Sequence, residues 1–173
     1  MFKNWLLKES TIPQLYQSTV DAFPNTKKRQ HATNEINISQ IQFTPFLGMK
    51  TLLVKGMANN LKNEHKYNSL ILFKNINYNS EKNRFEIQDS LEKKYFLEKI
   101  DREDSEVLLR CNCADFSWRF SFYDWTDSSL YGNKKKKYEA STDKEANPKK
   151  MPGMCKHVLR FLEVLEEKGL FIK

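Results

Sequence analysis

Cysteine, glycine and long apolar runs are all scarce in this chain, and each scarcity excludes a class of protein. Three cysteines among 173 residues are an odd number, so a framework in which every cysteine is paired in a disulfide is excluded. No apolar run approaches the ~20 residues that a membrane-spanning helix requires, and the opening residues lack the apolar stretch of a secretory signal peptide. A reducing compartment, where thiols stay free to bind metal, fits this pattern.

Catalytic signatures are missing as well. The chain has five glycines and no glycine-rich loop that would hold a phosphate group. It also lacks the Ser, His and Asp pattern of nucleophilic catalysis, and its carboxylates are scattered without the pairing that acid–base chemistry needs. We therefore expect a protein that is not an enzyme and that takes no small-molecule substrate.

The overall composition nevertheless predicts a folded protein. Hydrophobic residues make up 39% and aromatic residues 13% of the chain, which is enough for a core and argues against global disorder. We expect an N-terminal arm over residues 1–10 and a single α+β domain over residues 11–173, with a basic, flexible loop at 132–150. The net charge of +7 permits an acidic partner, either nucleic acid or another protein, although charged runs are also common as plain solvated surface.

The apolar spacing changes along the chain from helical to strand-like. A helix starts near Thr11, where Gln14 three residues later suggests a capping box, and its apolar positions recur at helical spacing. Alternation with a period of two then predicts about six strands in an antiparallel sheet, because the connections are too short for parallel crossovers. A slip in the alternation at Ser39–Gln40 predicts a bulge, and Gly56 is expected to end the second strand. The helix positions are Ile12, Tyr16, Val20 and Phe23, with Leu15 and Thr19 beside them; the strands are 36–43, 51–54, 67–73, 84–87, 94–97 and 106–110.

The three cysteines and one histidine form two close pairs, Cys111-Asn-Cys113 and Cys155-Lys-His157. Three thiolates and one imidazole are a ligand set that zinc takes in closed structural sites. Four protein ligands leave no open position for water, so we expect one structural Zn²⁺ rather than a catalytic one. Buried cysteines and a core histidine without metal are the alternative, since free cysteine is among the most buried residue types.

The spacing of each pair makes a geometric prediction. In a straight strand the side chains of Cys111 and Cys113 would lie ~7 Å apart, whereas two sulfurs on one zinc lie under ~4 Å apart, so we expect a bend at Asn112. Cys155 should precede the first turn of a final helix and His157 should lie inside that turn, because residues two apart on a helix do not face the same way. The positive helix N-terminus would favour a thiolate there.

Three further features of the sequence have two interpretations each. The aromatic stretch at 114–125 is spaced for a helix or a strand, and we favour a helix whose aromatics belong to the core over a surface for base stacking. The run Lys134, Lys135, Lys136 and Lys137, with Lys27, Lys28 and Arg29, is a candidate contact to nucleic acid or simply solvated. In the arm, the apolar residues Phe2, Trp5 and Leu6 either fold back on the domain or contact a neighbouring protein.

The pattern Cys-x-Cys…Cys-x-His resembles the SWIM-type zinc finger. That resemblance implies zinc ligation by Cys111, Cys113, Cys155 and His157, and an association with DNA or protein. The spacer of 41 residues between Cys113 and Cys155 is longer than in the commoner members of that family.

A wider resemblance extends from about residue 20 to residue 168. The block Cys-Asn-Cys-Ala-Asp-Phe116, followed by Pro-Gly-Met-Cys-Lys-His157, is similar to blocks in small virion-associated proteins of tailed bacteriophages. The resemblance implies a structural component of the capsid, neck or tail, located in the virion and in the host cytoplasm during assembly. Its expected partners are other virion proteins in a symmetric assembly, with nucleic acid as a further possible partner and no membrane.

Overall fold

The computed structural model describes residues 10–24, 33–62, 64–139 and 145–172. Short 3₁₀ turns precede β1 and separate it from β2, and a π-helical turn, Phe116–Phe120, leads into α2. Within those ranges, no helix has both the length and the apolar character that crossing a bilayer demands. The helices and strands are α1 (Ile12–Ala22), β1 (Ile36–Phe46), β2 (Thr51–Asn60), β3 (Lys66–Phe73), β4 (Arg84–Gln88), β5 (Lys94–Glu98), β6 (Val107–Cys111), α2 (Ser121–Thr126) and α3 (Lys156–Glu167).

The fold is α+β with antiparallel pairing, as the sequence predicts. The six strands of the described ranges do not form one sheet, however. Four of them form a sheet in the order β1-β2-β3-β6, and β4 pairs only with β5 as a separate hairpin. The hairpin contributes Ile87 and Leu97, which are buried in the same core as the larger sheet. The alternation of apolar and polar residues is the same whether a hairpin packs on a sheet through its side chains or joins it by backbone hydrogen bonds. The sequence pattern therefore could not distinguish the two arrangements.

The bulge predicted in the first strand is present. The pairing of β1 with β2 shifts between Ser39 and Gln42, and Gln40 adopts a positive φ of 52°. The extra residue moves the apolar side chains after the bulge onto the opposite phase of the sequence alternation. Pro45 is tolerated inside β1 because β1 is an edge strand, where a missing N–H interrupts no ladder.

Gly56 does not end the second strand, and that expectation was wrong. Strand β2 continues through Gly56 to Asn60. A Cβ at this position would lie 2.6 Å from Cε2 of Phe161, so the glycine lets the α3 ring approach the sheet backbone. In a strand, glycine marks either an interruption or a close approach, and only the tertiary packing distinguishes the two.

Helix α1 starts as predicted, but it buries a different face. The backbone N–H of Thr11 donates to Oε1 of Gln14 at 3.0 Å, which is one half of the expected capping box. The buried stripe is Ile12, Leu15, Thr19 and Ala22, whereas Tyr16 is 47% exposed. Leu15 and Thr19, which the sequence places beside the predicted apolar positions, are thus the centre of the buried face.

Helix α3 has the predicted limits and the predicted apolar face. Val158, Phe161, Leu162 and Leu165 are all buried, and Gly169 follows the helix with a positive φ of 82°. The helix packs against β1, β2, β3 and β6, so the face of the sheet that carries Leu52, Val54 and Ile71 is the core side. We call this the inner face and the opposite one the outer face.

Candidate metal centre

The first cysteine pair lies at the end of β6. Val107, Leu109 and Cys111 alternate onto the inner face and are buried. Strand β6 ends at Cys111, and the chain bends at Cys113 before a helical turn that begins at Ala114. Asn112, where we expected the bend, is fixed by its neighbour strand: the N–H of Asn68 donates to Oδ1 of Asn112 at 2.8 Å. The bend therefore follows one residue later than predicted, at the second cysteine itself.

The second pair lies at the start of α3, as predicted. Cys155 is the N-cap residue, with extended backbone angles of φ −76° and ψ 164°, and His157 lies within the first turn. Both side chains are buried. The change from extended to helical backbone between them turns two residues at i and i+2 toward one point, which neither a regular strand nor a regular helix achieves.

The four side chains converge. One ligand atom from each of Cys111, Cys113, Cys155 and His157 can be chosen so that all four lie within 4.8 Å of one another. Nδ1 of His157 lies 3.9 Å from Sγ of Cys155. A tetrahedral zinc with Zn–S bonds of ~2.3 Å separates its donors by about 3.5–3.8 Å. The donors are thus within about 1 Å of the spacing that one ion imposes.

The imidazole offers an independent test of the fit. Nε2 of His157 is buried and has no hydrogen-bond partner in the described part of the chain, while the Tyr67 ring packs at 4.6 Å from the His157 ring. A buried polar atom without a partner is costly. A centre that engages the imidazole, with water or a polar group on its second nitrogen, would remove that cost. The residues present therefore could hold a metal ion.

The electrostatics of the three thiols favour a cation between them. The Cys113 and Cys155 thiols donate toward the Cys111 sulfur and lower its pKa well below the ordinary value. The Cys111 thiolate in turn raises the pKa of Cys113. Burial, followed by the Cys111 charge, raises the pKa of Cys155 well above its usual range. The arrangement thus favours the charge on Cys111 and disfavours charge on Cys113 and Cys155, and a cation between the sulfurs would offset the second effect.

Two further groups donate to the sulfurs. The hydroxyl of Ser69, on β3 and fully buried, lies 3.6 Å from Sγ of Cys111. The backbone N–H of Phe116 donates to Sγ of Cys113 at 3.3 Å. Donors of this kind stabilise thiolates and orient the ligands of a metal.

The segment that brings Cys155 to the centre is held by buried polar groups. The N–H of Gly153 donates to Oδ1 of Asp124 at 2.7 Å, and the N–H of Met154 donates to the Thr19 hydroxyl at 2.8 Å. A Cβ on Gly153 would lie 2.6 Å from Oγ1 of Thr19 and 2.7 Å from Cε1 of Phe120. The glycine is therefore required by a close approach between this segment, α1 and the aromatic helical segment.

Asn147 fixes the start of the same segment. It is 2% exposed, and its Nδ2 donates to the carbonyls of Arg119 and Met151, each at 2.8 Å. These bonds tie residues 147–151 to the helical segment that follows Cys113. The two cysteine pairs are thus joined by a hydrogen-bonded connection in addition to their meeting at the centre.

Sequence reasoning missed five residues that build this centre: Thr19, Ser69, Asp124, Asn147 and Gly153. The available signals were weak. Ser69 directly precedes the apolar run Leu70–Phe73, and Asn147 precedes a proline inside a polar stretch. What decides their roles is the strand register and the long-range packing, and neither is visible in a single sequence.

The aromatic stretch is helical, as we favoured, and it is divided between core and surface. Phe116 and Phe120 are buried, while Trp118 is 52% exposed and stacks on Tyr138 with ring centroids 5.1 Å apart. Lys134 places its Nζ 3.8 Å from the Trp125 ring centroid, and Nζ of Lys135 bonds to the Ser117 hydroxyl at 3.2 Å. The basic run therefore lies along the aromatic helix, and its four lysines are all exposed.

The remaining predicted contacts fall outside the described residues. These are the arm residues Phe2, Trp5 and Leu6 and the basic residues Lys27, Lys28 and Arg29. Their roles stay predictions.

Comparisons of the chain with models of known protein families, with curated proteins and with solved structures give no match.

Proposed function

We propose that this protein is a non-enzymatic structural domain in which one Zn²⁺, bound by Cys111, Cys113, Cys155 and His157, joins the end of β6 to the start of α3. The convergence of four buried donor atoms within 4.8 Å is the observation that carries the proposal. Three sulfurs and one nitrogen are the donors of structural zinc sites, and a complete set of four leaves no position for a reacting water.

Metal analysis of matched histidine variants tests the proposal. The purified protein should contain close to one zinc per chain, and His157→Asn should lose most of it or bind it far more weakly. His65→Asn is the control, because His65 is exposed and lies two residues from Tyr67, which stacks on His157. It should keep the metal. Equal zinc content in both variants, or no zinc in the unaltered protein, would contradict the assignment.

At a finer level, we propose that the domain is a component of a bacteriophage particle. The support is the sequence resemblance around Cys111–Phe116 and Pro152–His157, together with a closed centre that suits a structural role. Quantitative mass spectrometry of purified particles would find the protein at a fixed copy number relative to the major capsid protein. Its loss from the particles under stringent purification would refute the virion role and leave the zinc site standing.

A second candidate function is binding to single-stranded nucleic acid, and one specific observation favours it. The stacked pair Trp118 and Tyr138 lies beside the exposed Lys134–Lys137 run, and exposed aromatics next to cations suit unpaired bases. A fluorescence titration with a single-stranded oligonucleotide should then show affinity that falls linearly with log salt. Trp118→Ala should weaken it about 10-fold or more, and absence of binding at low salt would dismiss this candidate.

A further inference from the structure

We infer that the cavity beside the metal centre binds a nucleotide, with the base against Trp118 and the phosphate at Lys156. The site is separate from the exposed lysine run, and it shares only Trp118 with the second candidate function. It rests on the proposed zinc centre at one point, the proton on Nε2 of His157.

The cavity lies where several parts of the chain meet around the centre. Its volume is about 400 Å³, which is within the range of small-molecule sites. The side chains that line it include Tyr67 from β3, Trp118 and Arg119 from the π-helical turn, and Lys156 and His157 from the start of α3. A concave space of this size, with aromatic rings and a few charged groups, is the usual form of a ligand site.

The buried His157 ring lacks a partner that a ligand would supply. His157 is 3% exposed, and its Nε2 has no hydrogen-bond partner within the described ranges. The other ring nitrogen, Nδ1, lies on the side of the sulfurs, 3.9 Å from Sγ of Cys155. With Nδ1 bound to a metal ion, the neutral ring carries its proton on Nε2. An acceptor in the cavity would therefore satisfy a donor that is costly to bury alone.

The charges around the cavity favour a phosphate at one position. Asp115 is the carboxylate among the lining residues, and its Oδ1 is paired with Nη1 of Arg119 at 2.8 Å. No ion pair or hydrogen bond in the described part of the chain involves the Lys156 ammonium group. Three thiolates around one dication are net negative, so a phosphate would lie at Lys156 and away from the sulfurs.

An aromatic ring supplies the surface that a planar base needs. Trp118 stacks on Tyr138, yet it remains 52% exposed and lines the cavity. Any of the bases can stack on such a ring, and the acceptor atoms at a base edge can take the Nε2 proton of His157. A stacking ring, an unpaired cation and a buried donor around one cavity match a nucleotide better than a bare anion or an apolar ligand.

Calorimetric titration of the zinc-loaded full chain with deoxyadenosine monophosphate (dAMP) at low salt tests the inference. Trp118→Ala should weaken binding about 10-fold or more, because it removes the stacking surface. Lys156→Gln should weaken it several-fold, because it removes the charge that holds the phosphate. Deoxyadenosine and inorganic phosphate, titrated separately, should each bind more weakly than dAMP.

Lys66→Gln is the matched control for the lysine variant. Lys66 is exposed and adjoins Tyr67 in the sequence, but it does not line the cavity, so this variant should bind dAMP as the unaltered protein does. A short single-stranded oligodeoxyadenylate then separates the two sources of this chemistry. Tighter binding of the oligonucleotide through Trp118 and Lys156 identifies a strand as the ligand, and tighter binding of dAMP identifies a free nucleotide.

Two results would overturn the inference and leave the zinc assignment intact. These are no binding of dAMP by the zinc-loaded chain at up to about 1 mM, and equal affinity in Trp118→Ala and the control. A chain purified without zinc that still binds dAMP through these residues would contradict the zinc centre alone. The zinc content of each preparation separates the two failures, and the exposed Trp118 position decides the result if Lys156→Gln loses metal.

Discussion

At the scale of single residues, the centre brings together three thiols that cannot all ionise by themselves. The pKa of Cys111 is lowered by donation from Cys113 and Cys155, while the pKa values of those two are raised. The raised pKa values keep Cys113 and Cys155 protonated at neutral pH in the metal-free protein. Binding a dication converts all three to thiolates, because coordination requires the deprotonated form.

This difference predicts proton release on metal binding. Titration of metal-free protein with Zn²⁺ in weakly buffered solution near pH 7 should release at least about two protons per ion, one each from Cys113 and Cys155. The absorbance of a pH indicator, calibrated with known amounts of acid, measures the number of protons released. Release of no protons would mean that the sulfurs are not the ligands, and release of three would mean that Cys111 starts protonated.

Asp124 provides a pH prediction away from the sulfurs. Its carboxyl is fully buried, and burial raises its pKa well above the usual value. The folded state therefore holds this proton more tightly than the unfolded chain does, so this group's contribution to stability is lost as pH rises through the folded pKa. Asp124→Asn keeps an amide oxygen for the Gly153 N–H and removes the charge.

As pH rises from about 5 to about 9, the free energy of unfolding of the unaltered protein should fall relative to that of Asp124→Asn. Denaturant unfolding of the metal-loaded proteins at several pH values measures it. Asp104→Asn, at an exposed position, is the control and should show no such trend. A difference that is constant across this range would contradict the raised pKa.

At the scale of elements, the segment before α3 is the least tolerant of added volume. Gly153→Ala places a methyl group 2.6 Å from the Thr19 hydroxyl and 2.7 Å from the Phe120 ring, and overpacking of this kind costs about 1–3 kcal/mol. It should also weaken zinc binding, because Cys155 lies two residues later. Gly48→Ala is the matched control, since nothing lies within 4 Å of its Cβ.

Chemical unfolding and competition with a chromophoric chelator measure both effects of Gly153→Ala. The control should change stability by less than about 0.5 kcal/mol and leave metal affinity unaltered. Equal behaviour of the two variants would show that the segment can relax without disturbing the centre.

The elements also show how far the sequence predicts this structure. Strand alternation located all six strands, and a slip of one residue located the bulge in β1, because both signals are local. Gly56, Thr19 and the separation of the β4–β5 hairpin could not be predicted. Gly56 is required by contact with Phe161, which lies 105 positions later in the chain. Thr19 is buried because its hydroxyl accepts from the Met154 N–H, just before Cys155. The ligands were predictable from two close pairs, but the residues that hold those pairs were not.

At the scale of the whole molecule, the centre joins two parts of the chain that are 41 residues apart in sequence. Structural zinc contributes directly to folding free energy. Removal of the proposed Zn²⁺ should therefore loosen the parts that meet at the centre more than the β4–β5 hairpin.

Hydrogen exchange after chelation tests this distribution. Residues 111–126 and 147–167 should lose much of their protection, while β4 and β5 retain theirs, because the hairpin has its own pairing and carries none of the four candidate ligands. Readdition of zinc should restore protection. A uniform loss over the entire chain would indicate global rather than local dependence on the metal.

X-ray absorption at the zinc edge of the purified protein would identify the atoms bound to the metal. We expect three sulfur ligands at ~2.3 Å and one nitrogen at ~2.0–2.1 Å, with no oxygen ligand. Fewer than three sulfurs, or a bound water in the first coordination sphere, would contradict it.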